Sequence, residues 1–186
     1  MSEELLLRHC SPTLAGIKTG SLFNAPYTDK SEINKSVREL NRRLASKGIR
    51  VLPMRASGKR VLLYVYRPKK LENDFRSSAA RDILEKRGYE CEKPGICVTR
   101  LMKLLRDGGD FPHEIGLFLG YPPEDVDGFI KESSGEVESS KMSGYWKVYG
   151  DTEKAEKTFE QYRKCTKVYC DLWKKGKTIE RLTVNA

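Results

Sequence analysis

The sequence has 186 residues, 38% hydrophobic and 33% charged, and its 35 Lys and Arg against 26 Asp and Glu give a net charge of +9. The apolar residues fall in periodic clusters, which argues against a disordered chain, and no apolar run reaches the roughly 20 residues of a membrane span. The first residues do not resemble a signal peptide, so we expect a cytoplasmic protein without a membrane partner.

The first half of the sequence predicts helices around a β-hairpin. Apolar residues at helical spacing, with proline or glycine at the ends, predict the helices, and short apolar runs separated by a glycine turn predict the strands. Pro12 should end the first helix, since proline disfavours helix in the residue before it. The expected elements are a helix over 3–8, a strand over 21–25, a helix over 33–44, hairpin strands over 50–54 and 59–67, and a helical segment over 68–88.

The second half predicts mostly helices. Tyr145 to Tyr149 alternates like a strand, and Asp151 or Thr152 should cap the long helix that follows. The expected elements are short helices over 98–105 and 124–130, a strand over 145–149, a helix over 152–175 and a last strand over 179–184. Together these elements predict a single α+β domain over 1–186, with a mixed or antiparallel sheet, a central hairpin, flanking helices and a helical insertion over 98–131.

Charge is unevenly distributed along the chain. Residues 1–50, 51–100 and 151–186 carry net charges of +4, +6 and +3, whereas residues 101–150 carry −4. A basic surface attracts nucleic acids, anionic lipids or small anions. Solvated helix faces would give the same excess, so charge alone does not choose among these partners.

The cysteines and the two histidines form no familiar metal or disulfide pattern. The number of cysteines is odd and no secretory signal is expected, which disfavours a disulfide framework. The spacings C-x5-C and C-x4-C differ from the C-x2-C of structural zinc sites, and positions i and i+5 of a helix lie about 140° apart. We therefore expect no metal site, and the sequence assigns no cofactor. The cysteines are Cys10, Cys91, Cys97, Cys165 and Cys170.

Three long stretches carry a family resemblance, namely His9 to Phe23, Phe111 to Ile130 and Gly144 to Asp151. Shorter strings at Tyr64 to Lys69 and Lys164 to Tyr169 are also similar. With these residues the chain resembles DUF3793, a bacterial family of unknown function found mainly in anaerobic Gram-positive bacteria. The resemblance spans nearly the whole chain and implies a stand-alone bacterial protein. It brings no assigned reaction, cofactor or catalytic residue.

The N-terminal stretch contains a candidate catalytic nucleophile. Cys10 follows His9, and Lys18 and Ser21 lie soon after it in a glycine-punctuated segment that could present backbone N–H groups to an anion. Nearby positive charge favours a thiolate. The sequence therefore predicts either a reactive Cys10 with His9, Lys18 and Ser21 as ligand-binding residues, or a helix-ending turn around a buried, inert thiol.

His113 and Glu114 form a second candidate pair. Placed against Cys10, they would complete a Cys–His–Glu arrangement in which His113 is the general base and Glu114 orients it. The structural alternative places Glu114 in the first turn of a helix opened by Pro112, where a carboxylate suits the helix dipole.

Basic residues follow the strand that contains Tyr64 and Tyr66. Arg67 and Lys69, between a strand end and a helix start, could bind a phosphate, and basic residues interleaved with aromatics also suit single-stranded nucleic acid. A solvated strand exit would contain the same residues. No Walker A string, no G-x-G-x-x-G after a strand and no RNA-recognition string accompanies them.

Three function classes remain open. The first is an enzyme or binding protein with a pocket for a small anionic ligand near Cys10, Lys18 and His113. The second is a nucleic-acid-binding or regulatory module, which requires the basic residues of 35–70 and 154–177 to share one face. The third is a protein-interaction module that uses the acidic stretch 107–138. The sequence does not decide whether the protein is an enzyme.

Overall fold

Helices and short strands alternate along the chain, which the computed structural model describes over residues 2–90, 93–136 and 139–185. Cys91 lies outside these residues. The helices are α1 (Glu3–Leu14), α2 (Lys30–Leu44) with a 3-10 turn (Ala45–Lys47), α3 (Pro68–Asp74), α4 (Ser78–Lys86), α5 (Pro94–Asp107), α6 (Ile115–Phe118), α7 (Pro123–Ser133), α8 (Thr152–Lys174) and α9 (Ile179–Leu182). The strands are β1 (Gly20–Pro26), β2 (Arg50–Ser57), β3 (Arg60–Tyr66), β4 (Met142–Ser143) and β5 (Lys147–Val148).

Three of the strands form an antiparallel sheet in the order β1-β3-β2. Tyr64, in the middle strand, pairs with Leu22 on one side and with Leu52 on the other. Because β3 is flanked by strands on both edges and by core on both faces, its apolar residues run almost without interruption. The predicted hairpin of β2 and β3 is confirmed. We expected a mixed or an antiparallel sheet, and the sheet is antiparallel.

Helices cover both faces of this sheet. On one face, α1, α2, α9 and the last turns of α8 pack against side chains such as Leu63. On the other face, α3 to α7 pack against Tyr64 and Tyr66. A smaller apolar cluster joins Val148 of β5 to Phe159 of α8. The chain is therefore a single α+β domain whose core is divided into two halves by the sheet.

The first helix continues through Pro12, which we expected to end it. Every residue from Cys10 to Leu14 is buried. An internal proline removes one backbone hydrogen bond. Burial of the last helical turn outweighs this loss, so α1 runs on to Leu14 and brings the following loop under β1.

The expected last strand is wrong, because 179–182 forms α9. Ile179 and Leu182 are buried three residues apart, and Thr183 Oγ1 donates a hydrogen bond to Ile179 O. Val184 N then donates to Leu14 O, which ties the end of the chain to α1. In so short a segment, the spacing of the apolar residues fits a helix as well as a strand. Packing against α1 favours the helix.

Two further differences shape the region between α3, α4, α7 and α8. The expected helical segment over 68–88 is two helices, and the break between α3 and α4 turns the start of α4 toward α8. The expected strand over 145–149 keeps only the two residues of β5. Trp146 lies outside the strand, and its indole donates a 2.7 Å hydrogen bond to Asp125 Oδ2.

Candidate functional site

An open cleft of about 490 Å³ lies between the end of α3, the starts of α4 and α7, and the first half of α8. Four of its lining residues are aromatic, namely Phe75, Tyr121, Trp146 and Tyr162. Tyr121 stacks on Trp146 with ring centroids 4.8 Å apart. The volume of the cleft and its mixed aromatic and polar lining are typical of sites that bind small molecules.

Asp125 fixes one wall of the cleft. Its side chain is 4% exposed, and one oxygen accepts the hydrogen bond from Trp146. The other oxygen accepts hydrogen bonds from the backbone N–H groups of Tyr149 and Gly150, both at 2.8 Å. Because three donors satisfy this buried carboxylate, it anchors the segment after β5 to α7, and we assign it a structural role.

Lys18 places a buried ammonium group against two tyrosine rings of the cleft wall. The residue is 7% exposed, and its Nζ lies 5.2 Å from the ring centroid of Tyr121 and 5.8 Å from that of Tyr162. Lys18 Nζ makes no hydrogen bond or ion pair with any described residue. Burial lowers the pKa of the Lys18 amine to about 8, against a weaker opposing effect of Cys10.

The Lys18 amine still reaches solvent. Among the side-chain nitrogen and oxygen atoms of residues 2–90, 93–136 and 139–185, His113 Nδ1 is the one that is both fully buried and without a hydrogen-bond partner. Lys18 Nζ also has no hydrogen-bond partner among these residues. Because it is not in this fully buried group, it must retain some solvent-accessible surface. Since Tyr121 and Tyr162 flank it and line the cleft, we take that surface to open there.

Three helices begin at the cleft, and their first turns differ. Glu124 and Asp125 occupy the first turn of α7, and Asp151 caps α8 by accepting from Lys154 N at 3.0 Å. The first turn of α4 has no acidic residue and, as in α7, the capping residue makes no side-chain hydrogen bond. Ser77 and Ala80 at this end of α4 line the cleft, and the first backbone N–H groups of the helix have no acceptor among the described residues. Such N–H groups attract anions.

Asp74 and Tyr162 add groups that can exchange protons or hydrogen bonds. Asp74, half-buried in the cleft wall, accepts a hydrogen bond from Thr19 Oγ1, and Gly120 permits this approach because a Cβ there would clash with Thr19. Burial raises the pKa of the Asp74 carboxyl, while Thr19 and Lys70 lower it by less. Burial also raises the pKa of Tyr162, whose hydroxyl has no hydrogen-bond partner in the described chain.

The structure brings Cys10, Lys18 and Ser21 together, but it closes the thiol to solvent. Cys10 is 0% exposed and lies in the core half formed by α1 and α2. Burial raises the pKa of the Cys10 thiol far above its ordinary value, and the nearby Lys18 and Ser21 lower it by less. Ser21 is buried as well, with its hydroxyl 2.9 Å from that of Thr13. This geometry matches the inert-thiol alternative.

His9 lies away from the cleft. Its ring stacks on Phe23 with centroids 4.9 Å apart, on the outer side of α1. Partial burial lowers the pKa of His9, and the adjacent Arg8 lowers it further. His9 therefore packs against β1 and makes no contact with the Cys10 thiol.

His113 and Glu114 do not meet Cys10. His113 lines a second cavity of about 320 Å³, where its ring meets that of Phe129 edge-on at 4.9 Å. Glu114 is 3% exposed and accepts a 2.8 Å hydrogen bond from the Tyr89 hydroxyl. Both belong to the half of the core on the other face of the sheet from Cys10, so the Cys–His–Glu arrangement is not formed.

Arg67 and Lys69 do not form a paired phosphate site. Arg67 is 4% exposed, burial lowers the pKa of its guanidinium, and each of its three nitrogens donates to backbone carbonyls. Lys69 is exposed in the first turn of α3. Arg67 thus joins the end of α1 to two other segments and has no free face for a ligand. Its acceptors are the carbonyl oxygens of Thr13, Leu14, Lys47 and Val184.

The described residues form no cluster of metal-ligating side chains. No group of three His, Cys, Asp or Glu side chains among them is close enough to hold a metal ion. Cys10, Cys165 and Cys170 are free thiols, and Cys97 Sγ donates a 3.2 Å hydrogen bond to Glu90 O. In the same parts of the chain, no helix combines the length and the hydropathy that crossing a membrane requires.

The model of one protein family, described as a protein of unknown function (DUF3793), matches residues 6–183. Comparison with curated proteins and with solved structures finds no match. The matched range includes Lys18 and every residue that lines the cleft. The family is one of unknown function, so the match assigns no reaction or ligand to the cleft.

Proposed function

Since the chain belongs to the DUF3793 family, we propose its function from the cleft: the protein binds a small organic anion, a carboxylate or a phosphate, beside Lys18. The observation that carries this proposal is the ammonium group of Lys18, buried against two tyrosine rings with no acidic partner among the described residues. A buried charge without a counter-ion costs free energy, and a bound anion would offset that cost.

The start of α4 supports the same proposal independently. Ser77 and Ala80 at the start of α4 line the same cleft as Tyr121 and Tyr162, the two rings that Lys18 Nζ contacts. A ligand in this cleft would meet both a helix N-terminus and a full positive charge. The first turns of α7 and α8 already have their own carboxylates. Of the three helices that begin here, α4 is the one whose first turn has no acidic residue to oppose a bound anion.

The remaining lining residues restrict the ligand. Asp74, Glu124 and Asp151 would repel a polyanion, which argues against nucleic acid in the cleft. Asp74 and Tyr162 can form hydrogen bonds to a hydroxyl or carbonyl oxygen. The ligand that fits this set has one anionic group and a neighbouring oxygen, as in a hydroxy acid, a keto acid or a small phosphate ester. Binding of nucleic acid or protein on other surfaces stays a prediction.

The fluorescence of Trp146 gives a direct test. The chain has two tryptophans, so Trp173→Phe leaves Trp146 as the only one, in the cleft wall. We expect saturable changes in its emission on titration with pyruvate or with inorganic phosphate, and the stronger response identifies the anionic group. Lys18→Met should weaken binding at least tenfold, because a charge-assisted contact contributes about 1.5–3 kcal/mol.

Lys103→Met is the matched control, since Lys103 is exposed on α5 away from the cleft. It should leave both titrations unchanged. The proposal fails if neither probe gives a saturable response, or if Lys18→Met binds as tightly as Lys103→Met.

A further inference from the structure

We infer that Lys18 is also a covalent site: its amine forms an imine with the carbonyl carbon of a small keto acid or aldehyde that also has an anionic group. This inference rests on the proposed function, because the anion-binding groups would hold the carbonyl at Nζ. Four features support it. The Lys18 amine has no partner among the described residues and is enclosed by the rings of Tyr121 and Tyr162, and the cleft that these rings line also contains the unpaired Tyr162 hydroxyl and the half-buried Asp74 carboxyl.

The surroundings of Lys18 favour an unprotonated amine. No described acidic side chain pairs with it, and two tyrosine rings replace most of its water. With a pKa of about 8 rather than 10.5, about a tenth of the amine is free at pH 7, roughly 300-fold more than for an ordinary lysine. Desolvation of this kind is one way in which proteins activate lysine as a nucleophile toward carbonyl groups.

The step balances without a cofactor. The ammonium first loses a proton, and the lone pair of Nζ then adds to the carbonyl carbon. A C–N bond forms, the carbonyl oxygen takes a proton to become a hydroxyl, and the nitrogen gives up a second proton. The hydroxyl takes another proton and leaves as water while the C–O bond breaks, so that nitrogen and carbon share a double bond. One ammonium and one carbonyl thus give one protonated imine and one water. Tyr162 and Asp74 are the cleft groups that can relay these protons.

An imine that forms at Lys18 can be trapped by reduction. The wild-type protein is incubated with pyruvate and sodium cyanoborohydride at pH 7, and the modified lysines are located by peptide mass spectrometry. We expect Lys18 to be modified more than tenfold faster than Lys103, an exposed lysine of the same molecule. This internal comparison requires no variant, so it does not depend on whether a variant folds.

Lys18→Arg separates covalent chemistry from simple binding. Arginine keeps the positive charge but does not form this imine, so the variant should still bind pyruvate in the Trp146 titration while the fast modification disappears. If wild-type protein binds pyruvate but Lys18 reacts no faster than Lys103, the imine is ruled out and the binding proposal stands. If pyruvate neither binds nor modifies Lys18 preferentially, the imine is overturned, and the binding proposal is overturned with it when inorganic phosphate also gives no saturable response.

Discussion

Arg67→Met should lower the free energy of unfolding by about 4 kcal/mol, which is large for a single substitution. The guanidinium donates to four backbone carbonyls, those of Thr13 and Leu14 at 2.7 Å, Val184 at 2.9 Å and Lys47 at 3.2 Å. Methionine fills much of the same space but donates no hydrogen bond, so the buried carbonyls lose their partner. Urea unfolding followed by circular dichroism measures the change.

Lys69→Met, two residues along the chain, is the control. Lys69 is exposed, so its replacement should change the stability by less than about 0.5 kcal/mol. The structural role assigned to Arg67 would be contradicted if Arg67→Met cost less than about 1 kcal/mol. It would also be contradicted if Arg67→Met weakened pyruvate or phosphate binding without loss of stability.

Lys18→Met should have the opposite effect and stabilise the protein at pH 7 by about 2 kcal/mol. The pKa of Lys18 falls from 10.5 to about 8 on folding, which corresponds to roughly 3 kcal/mol of destabilisation while the amine is protonated. Loss of the contacts with the rings of Tyr121 and Tyr162 offsets about 1 kcal/mol of the gain. Urea unfolding of the two proteins across a pH series measures the difference.

The pH dependence of this stability difference shows whether it arises from the charge of Lys18. Between pH 8 and 10.5 the unfolded chain binds more protons at Lys18 than the folded chain, so this residue makes wild-type stability rise with pH. Cys10 acts in the other direction above about pH 9, since its thiol ionises only when unfolded, but it does so in both proteins. The advantage of Lys18→Met should therefore shrink through this window. A difference that is independent of pH, or a destabilised variant at pH 7, would contradict the account.

Such a lysine is unfavourable for the fold, which is consistent with a functional role. Side chains that bind ligands often cost stability in the free protein, and their replacement stabilises it while function is lost. Asp125 shows the contrast within the same cleft, because three donors satisfy its carboxylate without any ligand.

Local patterns predicted most of the elements. The spacing of apolar residues predicted α2, a glycine turn predicted the hairpin of β2 and β3, and Asp151 was correctly expected as a possible cap of α8. The errors arose where packing outweighs a local preference. Pro12 is kept within α1 because the turn around it is buried, and 179–182 is helical because it packs on α1.

The candidate site was less visible in the sequence. Lys18 was predicted together with Cys10 and Ser21 because they are neighbours in the chain, and the structure does bring these three together. Tyr121 and Trp146 lay in stretches that carry the family resemblance, yet nothing in the spacing links them to Asp74 or Tyr162. The cleft exists only because α3, α4, α7 and α8 converge, a long-range arrangement that periodicity does not encode.

Residue type alone also gave wrong expectations where the contacts of a side chain come from residues far away in the sequence. Arg67 at a strand end looked available for phosphate, but its acceptors include carbonyls from residues 13, 14 and 184. His113 looked available for the Cys10 thiol, but the sheet separates the two halves of the core that contain them. Knowledge of the fold is needed to separate a structural arginine from a binding one.

The most direct test of the account is the titration of the Lys18 amine itself. Lysine labelled with 13C and 15N would be observed by NMR, the Lys18 signal assigned with Lys18→Arg, and its pKa measured with and without saturating inorganic phosphate. We expect a pKa of about 8 in the free protein, and a higher pKa when the anion is bound, since a negative charge favours the ammonium form. An ordinary lysine pKa near 10.5 that does not respond to the anion would contradict the central claim.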